Sequence, residues 1–155
     1  MKHRLALEMA VALSLIMIVN PPRACAALGE AASSVEKDRV AFDGQLNIIP
    51  AELYAIQEIT TSELVVREYV FGDTVLAVSW RGTRPPNLVS LLGSYFQEYQ
   101  EAAAAAAVNG PRMRGMTRIQ GARVVVEAGG HPGDIRGRAY IPSLLPSGMT
   151  KEMIQ

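Results

Sequence analysis

The tetrapeptide Phe71-Gly72-Asp73-Thr74 constrains this chain more than any other feature, because it separates two runs suited to pleated strands. Leu64 to Val70 and Thr74 to Trp80 are rich in Val, Tyr and Trp. Such side chains pack well on a sheet, and glycine at the first central position of a two-residue loop is the signature of a type II′ hairpin. A hairpin closed there sets Tyr69 opposite Leu76, Arg67 opposite Val78 and Val65 opposite Trp80. One face then collects the large apolar side chains, with Arg67 as an anomaly whose stem packs at an edge while its guanidinium reaches water. The other face, with Val66, Glu68, Val70, Val75, Ala77 and Ser79, is paler and reads as partly solvated.

Beyond Pro85-Pro86, Asn87 is a good N-cap, and apolar residues recur at Leu88, Leu91, Leu92, Tyr95, Phe96, Tyr99, Ala102, Ala103 and Ala106. That spacing predicts one long helix, stopped by Asn109-Gly110-Pro111, with its aromatic residues in the core. Leu46 to Ile49 and Tyr54 to Ile59 read as strands before the hairpin. Met116 to Ile119, Ala122 to Ala128 and Ile135 to Ile141 read as strands after the helix. The tail from Pro142 holds prolines and should wrap the surface before a turn beginning at Thr150. The expected fold is α+β: a single domain with an antiparallel sheet of about five or six strands and one long helix packed on one face. Its second face is left uncovered.

At the start, Lys2, His3 and Arg4 precede an apolar run from Met9 to Val19, and Ala24-Cys25-Ala26 offers small residues for cleavage. Residues 1–26 therefore read as a secretory signal peptide cut between Ala26 and Ala27, with a run too short for a permanent membrane anchor. Pro22 and Arg23 break the pattern that a lipidated Cys25 requires. Residues 27–45 read as a mobile lead-in and 46–155 as the single α+β domain. The chain has one cysteine, and it falls inside the signal, so thiol catalysis and thiolate metal sites are excluded from the processed form. Formal charge is balanced overall, yet Glu30 to Asp73 is mostly acidic and Arg81 to Arg138 is arginine-rich. Arg112, Arg114, Arg118 and Arg123 are scattered along strands and loops, and without a recognisable motif we expect no nucleic-acid partner.

The concentrated polar constellation is His131, Asp134, Arg136 and Arg138, in the Gly129 to Arg138 loop and its outgoing strand. A histidine and a carboxylate can shuttle protons, and glycine amides beside arginines can hold an anion. Gly-Gly-His-Pro-Gly-Asp is equally what a long hairpin turn requires sterically, and one histidine with one aspartate is an incomplete metal site. The candidate ligand-binding residues are Trp80, His131, Asp134, Arg136 and Tyr140. Known hydrolase, phosphate-loop, zinc and calcium signatures are absent from the sequence, and no catalytic residue, metal or cofactor is assigned. Glu58 and Glu68 read as strand-surface charge.

The segments SSVEKD, VVREYVFGDTVLAVSW, NLVSLLGSYF, VVVEAGGH and GRAYIPSLLPSG, in this order and spacing, resemble the small exported bacterial proteins grouped as domain of unknown function 2844. In that pattern a histidine often precedes the glutamate found here as Glu58, where this chain has Gln57. The resemblance implies a Gram-negative source and export, and it implies no activity, substrate or catalytic residue. The leading expectation is a nonenzymatic periplasmic or secreted interaction module that binds another exported protein, or itself as a homodimer, through the uncovered sheet face. The alternative is a small-ligand-binding protein or hydrolase using a pocket near the Gly129 to Arg138 loop.

Overall fold

A computed structural model describes residues 28–109 and 115–155. The expected signal peptide, its cleavage point and Cys25 lie outside the described residues, as do Arg112 and Arg114. Seven strands form one antiparallel sheet: β1 (Gln45–Pro50), β2 (Ala55–Thr60), β3 (Leu64–Phe71), β4 (Thr74–Gly82), β5 (Thr117–Gln120), β6 (Val125–His131) and β7 (Asp134–Tyr140). Their order across the sheet is β1-β2-β3-β4-β7-β6-β5, so two meanders meet along the β4–β7 seam. The class is α+β as expected, with seven strands rather than five or six. Among the described residues no helix is long and apolar enough to cross a membrane.

The central hairpin closes where the sequence places it. Gly72 takes a φ of +63°, which a side chain at that position would resist, and Phe71 pairs with Thr74 and Val70 with Val75. The register then shifts by one at a β-bulge, so that Tyr69 faces Ala77 and Leu76 is the extra residue on β4. From there Glu68 faces Val78, Arg67 faces Ser79 and Val66 faces Trp80. This corrects the expected pairing. The bulge exchanges the faces of β4 relative to β3, so Val66, Val70, Val75, Val78 and Trp80 share one buried cluster, while Tyr69, Leu76 and Ala77 join another.

The first cluster is roofed by helices. Residues 27–45, expected as a mobile lead-in, carry a 3-10 turn (Ala32–Ser34) and a helix α1 (Val35–Phe42), with Leu28, Val35 and Asp38 buried. The expected single long helix is broken. α2 (Leu88–Leu92), capped by the Asn87 side chain accepting from the Val89 N–H at 3.0 Å, ends where Gly93 adopts a φ of +49°; a 3-10 turn (Gly93–Tyr95) then leads into α3 (Phe96–Asn109). Leu91 and Leu92 are fully buried, and each such side chain contributes about 1.5–3 kcal/mol. α3 packs beside β5 at its start, with Phe96 and Tyr99 against the core, while Ala104 to Val108 are exposed, because an alanine run offers little apolar area to hold a helix down. Its first turn is fixed by Glu98, which accepts from the Arg123 and Val124 amides and from the Arg123 guanidinium, while that guanidinium also stacks on Tyr95.

The second face, expected to be open, is largely covered. From Pro142 the chain returns across it as a strap with 3-10 turns at Pro142–Leu144 and Lys151–Met153. Met149 and Ile154, with Leu145, pack on Tyr69, Leu76, Ala77, Val125 and Tyr140. This explains why Val125 and Val126, which point to opposite faces of β6, are both buried.

Candidate functional site

Strand register places one polar residue from each of six neighbouring strands in a row beneath the strap. Glu58 pairs with Arg67, Arg67 with Ser79, Ser79 with Arg138, Arg138 with Glu127, and Glu127 with Arg118. Cross-strand neighbours of opposite charge attract, and here the contacts are direct. Arg67 Nε lies 2.7 Å from Glu58 Oε2, Arg138 Nη2 lies 2.6 Å from Glu127 Oε2, and Arg118 Nη1 lies 3.0 Å from Glu127 Oε1. Ser79 separates the two arginines that would otherwise repel. Strap carbonyls complete the row: Gln155 O accepts from Arg67 Nη1 (3.0 Å), Tyr69 Oη (2.8 Å) and Ser79 Oγ (2.9 Å), and Ile154 O accepts from Arg138 Nη1 (3.3 Å).

Two residues further along the strands lies a second row that is not balanced in this way. Arg81 pairs directly with Arg136 across the β4–β7 seam, with Val65 and Gly129 on either side. Between this row and the strap opens a cleft of about 680 Å³, lined by Arg67, Arg81, Arg136 and Arg138, with Glu152 as the single acidic side chain of the lining and the Gln155 main-chain oxygen at its inner border. Val65, Met116 and Ile154 give it apolar walls. Arg81 Nε donates to Asp134 Oδ1 at 3.0 Å. Arg136 is exposed, and its side chain makes no hydrogen bond or ion pair among the described residues.

The five residues singled out from the sequence do not converge as one set. Arg136 and Trp80 line the cleft, and Asp134 stands beside it through Arg81. The Trp80 ring packs in the helix-side cluster, on the opposite face from Arg136, and it lies so close over Gly137 that a Cβ there would collide with it. Tyr140 is buried under the strap, and burial pushes its hydroxyl pKa up. His131 is exposed at the hairpin end, its Nδ1 3.2 Å from Pro132 O. The glycine-rich loop itself is shorter than expected: Gly129 and Gly130 pair with Arg136 and Ile135 as part of β6, leaving only Pro132-Gly133 as the turn. Among the described residues no cluster of three or more His, Cys, Asp or Glu side chains could hold a metal ion.

A second polar group escaped the sequence reading. Asp38 on α1 and Glu68 on β3 are both fully buried on the helix side, and Gln57 stands opposite Glu68 on β2. Burial, reinforced by the negative charge of Asp38, pushes the Glu68 carboxyl up to about 9. Glu68 is therefore a neutral acid at neutral pH. Both side chains are enclosed, so they belong to the core rather than to a surface that a ligand meets.

The sheet with helices on one face and a strapped charge row on the other defines a small α+β protein with a cationic cleft. The chain belongs to the family described as Protein of unknown function (DUF2844), which it matches over residues 24–154. No curated protein and no solved structure matches it.

Proposed function

We propose that the protein is an exported, nonenzymatic interaction module, acting in the periplasm or the medium, which contacts another exported protein through the cleft beside its strap. The observation that carries this reading is the Arg81–Arg136 pair, in direct register at the mouth of an open cleft and with Asp134 as its one partner carboxylate. Like charges placed directly opposite in a sheet are destabilising, and a partner bearing negative charge offsets that cost. The basic start and short apolar run of the sequence support export. The hydrolase alternative finds less support, because the Ser79 hydroxyl in the cleft is engaged with Gln155 O and Tyr69 rather than with a base.

Site-specific photocrosslinking in a Gram-negative host that exports the chain tests this. A benzophenone amino acid in place of Glu152, exposed on the strap side of the cleft, should trap a discrete exported protein, and the same group in place of Glu36, exposed on α1, should not. Equal labelling at both positions, or none at either, would refute the reading.

A further inference from the structure

We propose that the cleft binds an extended peptide segment through an acidic side chain, seated on the paired guanidinium groups of Arg81 and Arg136. This rests on the interaction-module reading and names its ligand chemistry. The two rows of the strap face differ in what they lack. In the inner row every arginine already meets a carboxylate or a strap carbonyl. In the outer row Arg81 is held by Asp134 through one nitrogen, and Arg136 meets neither among the described residues. Added negative charge therefore gains most at Arg136. Neighbouring residues of an antiparallel pair hold their Cβ atoms about 4.5–5.5 Å apart, so both side chains leave the sheet within joint reach of the two oxygens of one carboxylate.

The choice of a peptide follows from what the same face already holds. The strap is polypeptide in an irregular, partly extended course, and the sheet binds it by arginine and hydroxyl donors to main-chain carbonyls and by apolar side chains such as Ile154. The cleft repeats this chemistry beside it, with Arg67 and Arg138 at its inner border and Val65 and Met116 as apolar walls. A volume of about 680 Å³ accommodates a few residues of chain. Glu152 stands on the strap side, so acidic charge is favoured at the Arg136 side and disfavoured near the strap. This orients a segment with its acidic residue toward the β6–β7 hairpin.

The test is a fluorescence-anisotropy titration of the purified chain with two labelled hexapeptides, Gly-Ala-Glu-Glu-Ala-Gly and its Gln-Gln counterpart. The Glu peptide should bind about tenfold more tightly, and the preference should shrink as salt rises. Arg136→Gln should remove the preference, and Arg136→Lys should keep part of it, because charge persists while the planar fork is lost. The Arg136 side chain has no partner to lose among the described residues, and thermal melting of both variants at or above the wild-type temperature would confirm an intact fold. Equal binding of the two peptides, or an undiminished preference in Arg136→Gln, overturns the proposal. So does displacement of the Glu peptide by equimolar inorganic phosphate or a short oligonucleotide, which would mark a general anion site. A discrete crosslink at position 152 without acidic-peptide preference defeats this assignment and leaves the module reading standing, whereas the preference without a crosslink defeats the module reading instead.

Discussion

Replacing Glu68 with Gln should make the protein more stable at alkaline pH while barely changing it at pH 5. In the folded chain burial and Asp38 raise the Glu68 carboxyl from 4.5 to about 9. The unfolded carboxyl titrates near its ordinary value, so between these limits the folded state binds one more proton than the unfolded state. Stability contributed by the neutral acid is thus fully present below about pH 4.5, falls as pH rises toward 9, and is flat beyond. One proton corresponds to a slope of about 1.4 kcal/mol per pH unit, and the whole interval to a ceiling of about 6 kcal/mol. We expect the wild-type chain to lose about 3–5 kcal/mol between about pH 5 and pH 9 through this group. Glutamine preserves the shape and carries no titrating proton, so the slope should flatten. The carboxyls of Glu36, Glu98 and Glu152 are held below their usual range and act in the opposite sense, but only in acid, outside this window. Urea denaturation followed by circular dichroism at about pH 5, 7 and 9 measures the effect. Parallel stability profiles for wild type and Glu68→Gln would refute the buried neutral acid.

Glu127→Ala removes the carboxylate shared by Arg118 and Arg138, leaving a mostly buried guanidinium without its counter-charge, and should cost about 2–4 kcal/mol in urea denaturation; a loss below about 1 kcal/mol would mean the row is ornamental. Gly137→Ala drives a methyl group into the Trp80 ring and should cost about 1–3 kcal/mol, with a shift in the emission of the protein's single tryptophan. An unchanged emission spectrum would count against that contact. Ile154→Ala opens a gap beneath the strap and should cost about 2–4 kcal/mol, with faster hydrogen exchange at the strap amides, Gln155 among them; unaltered exchange there would argue that the strap is held by its polar contacts alone.

The strands were legible because alternation and turn chemistry are local. Phe71-Gly72-Asp73-Thr74 announces its hairpin, and the runs around it keep a period of two. What escaped depends on contacts distant in sequence. The bulge at Leu76 carries no glycine or proline signal, and α1 was hidden because only Val35 and Asp38 of its short length reach full burial, one of them an acid. Gly93 inside an otherwise periodic helix was the readable sign of the break between α2 and α3. In the candidate site Arg136 was visible as a charged residue near a glycine-rich turn. Arg81 and the charge row were not, since they exist only through the β4–β7 pairing and a register that the bulge resets. Glu68 read as surface charge because alternation was followed across the wrong face.

That bulge gives the sheet a parity. Pairing across β4 transmits the in-or-out sense of every side chain to β7, and from there to β6 and β5, so Leu76 alone decides how three further strands are oriented with respect to β1, β2 and β3. A hairpin that paired without the bulge, with Leu76 opposite Tyr69, could keep every strand and every turn, yet Trp80 would exchange sides with Ser79 and Arg81. Serine would then stand in the helix-side core in place of tryptophan, and the arginines of β3 and β7 would fall on opposite faces. The protein counts residues modulo two, and both its core and its cationic cleft depend on the count being odd by one.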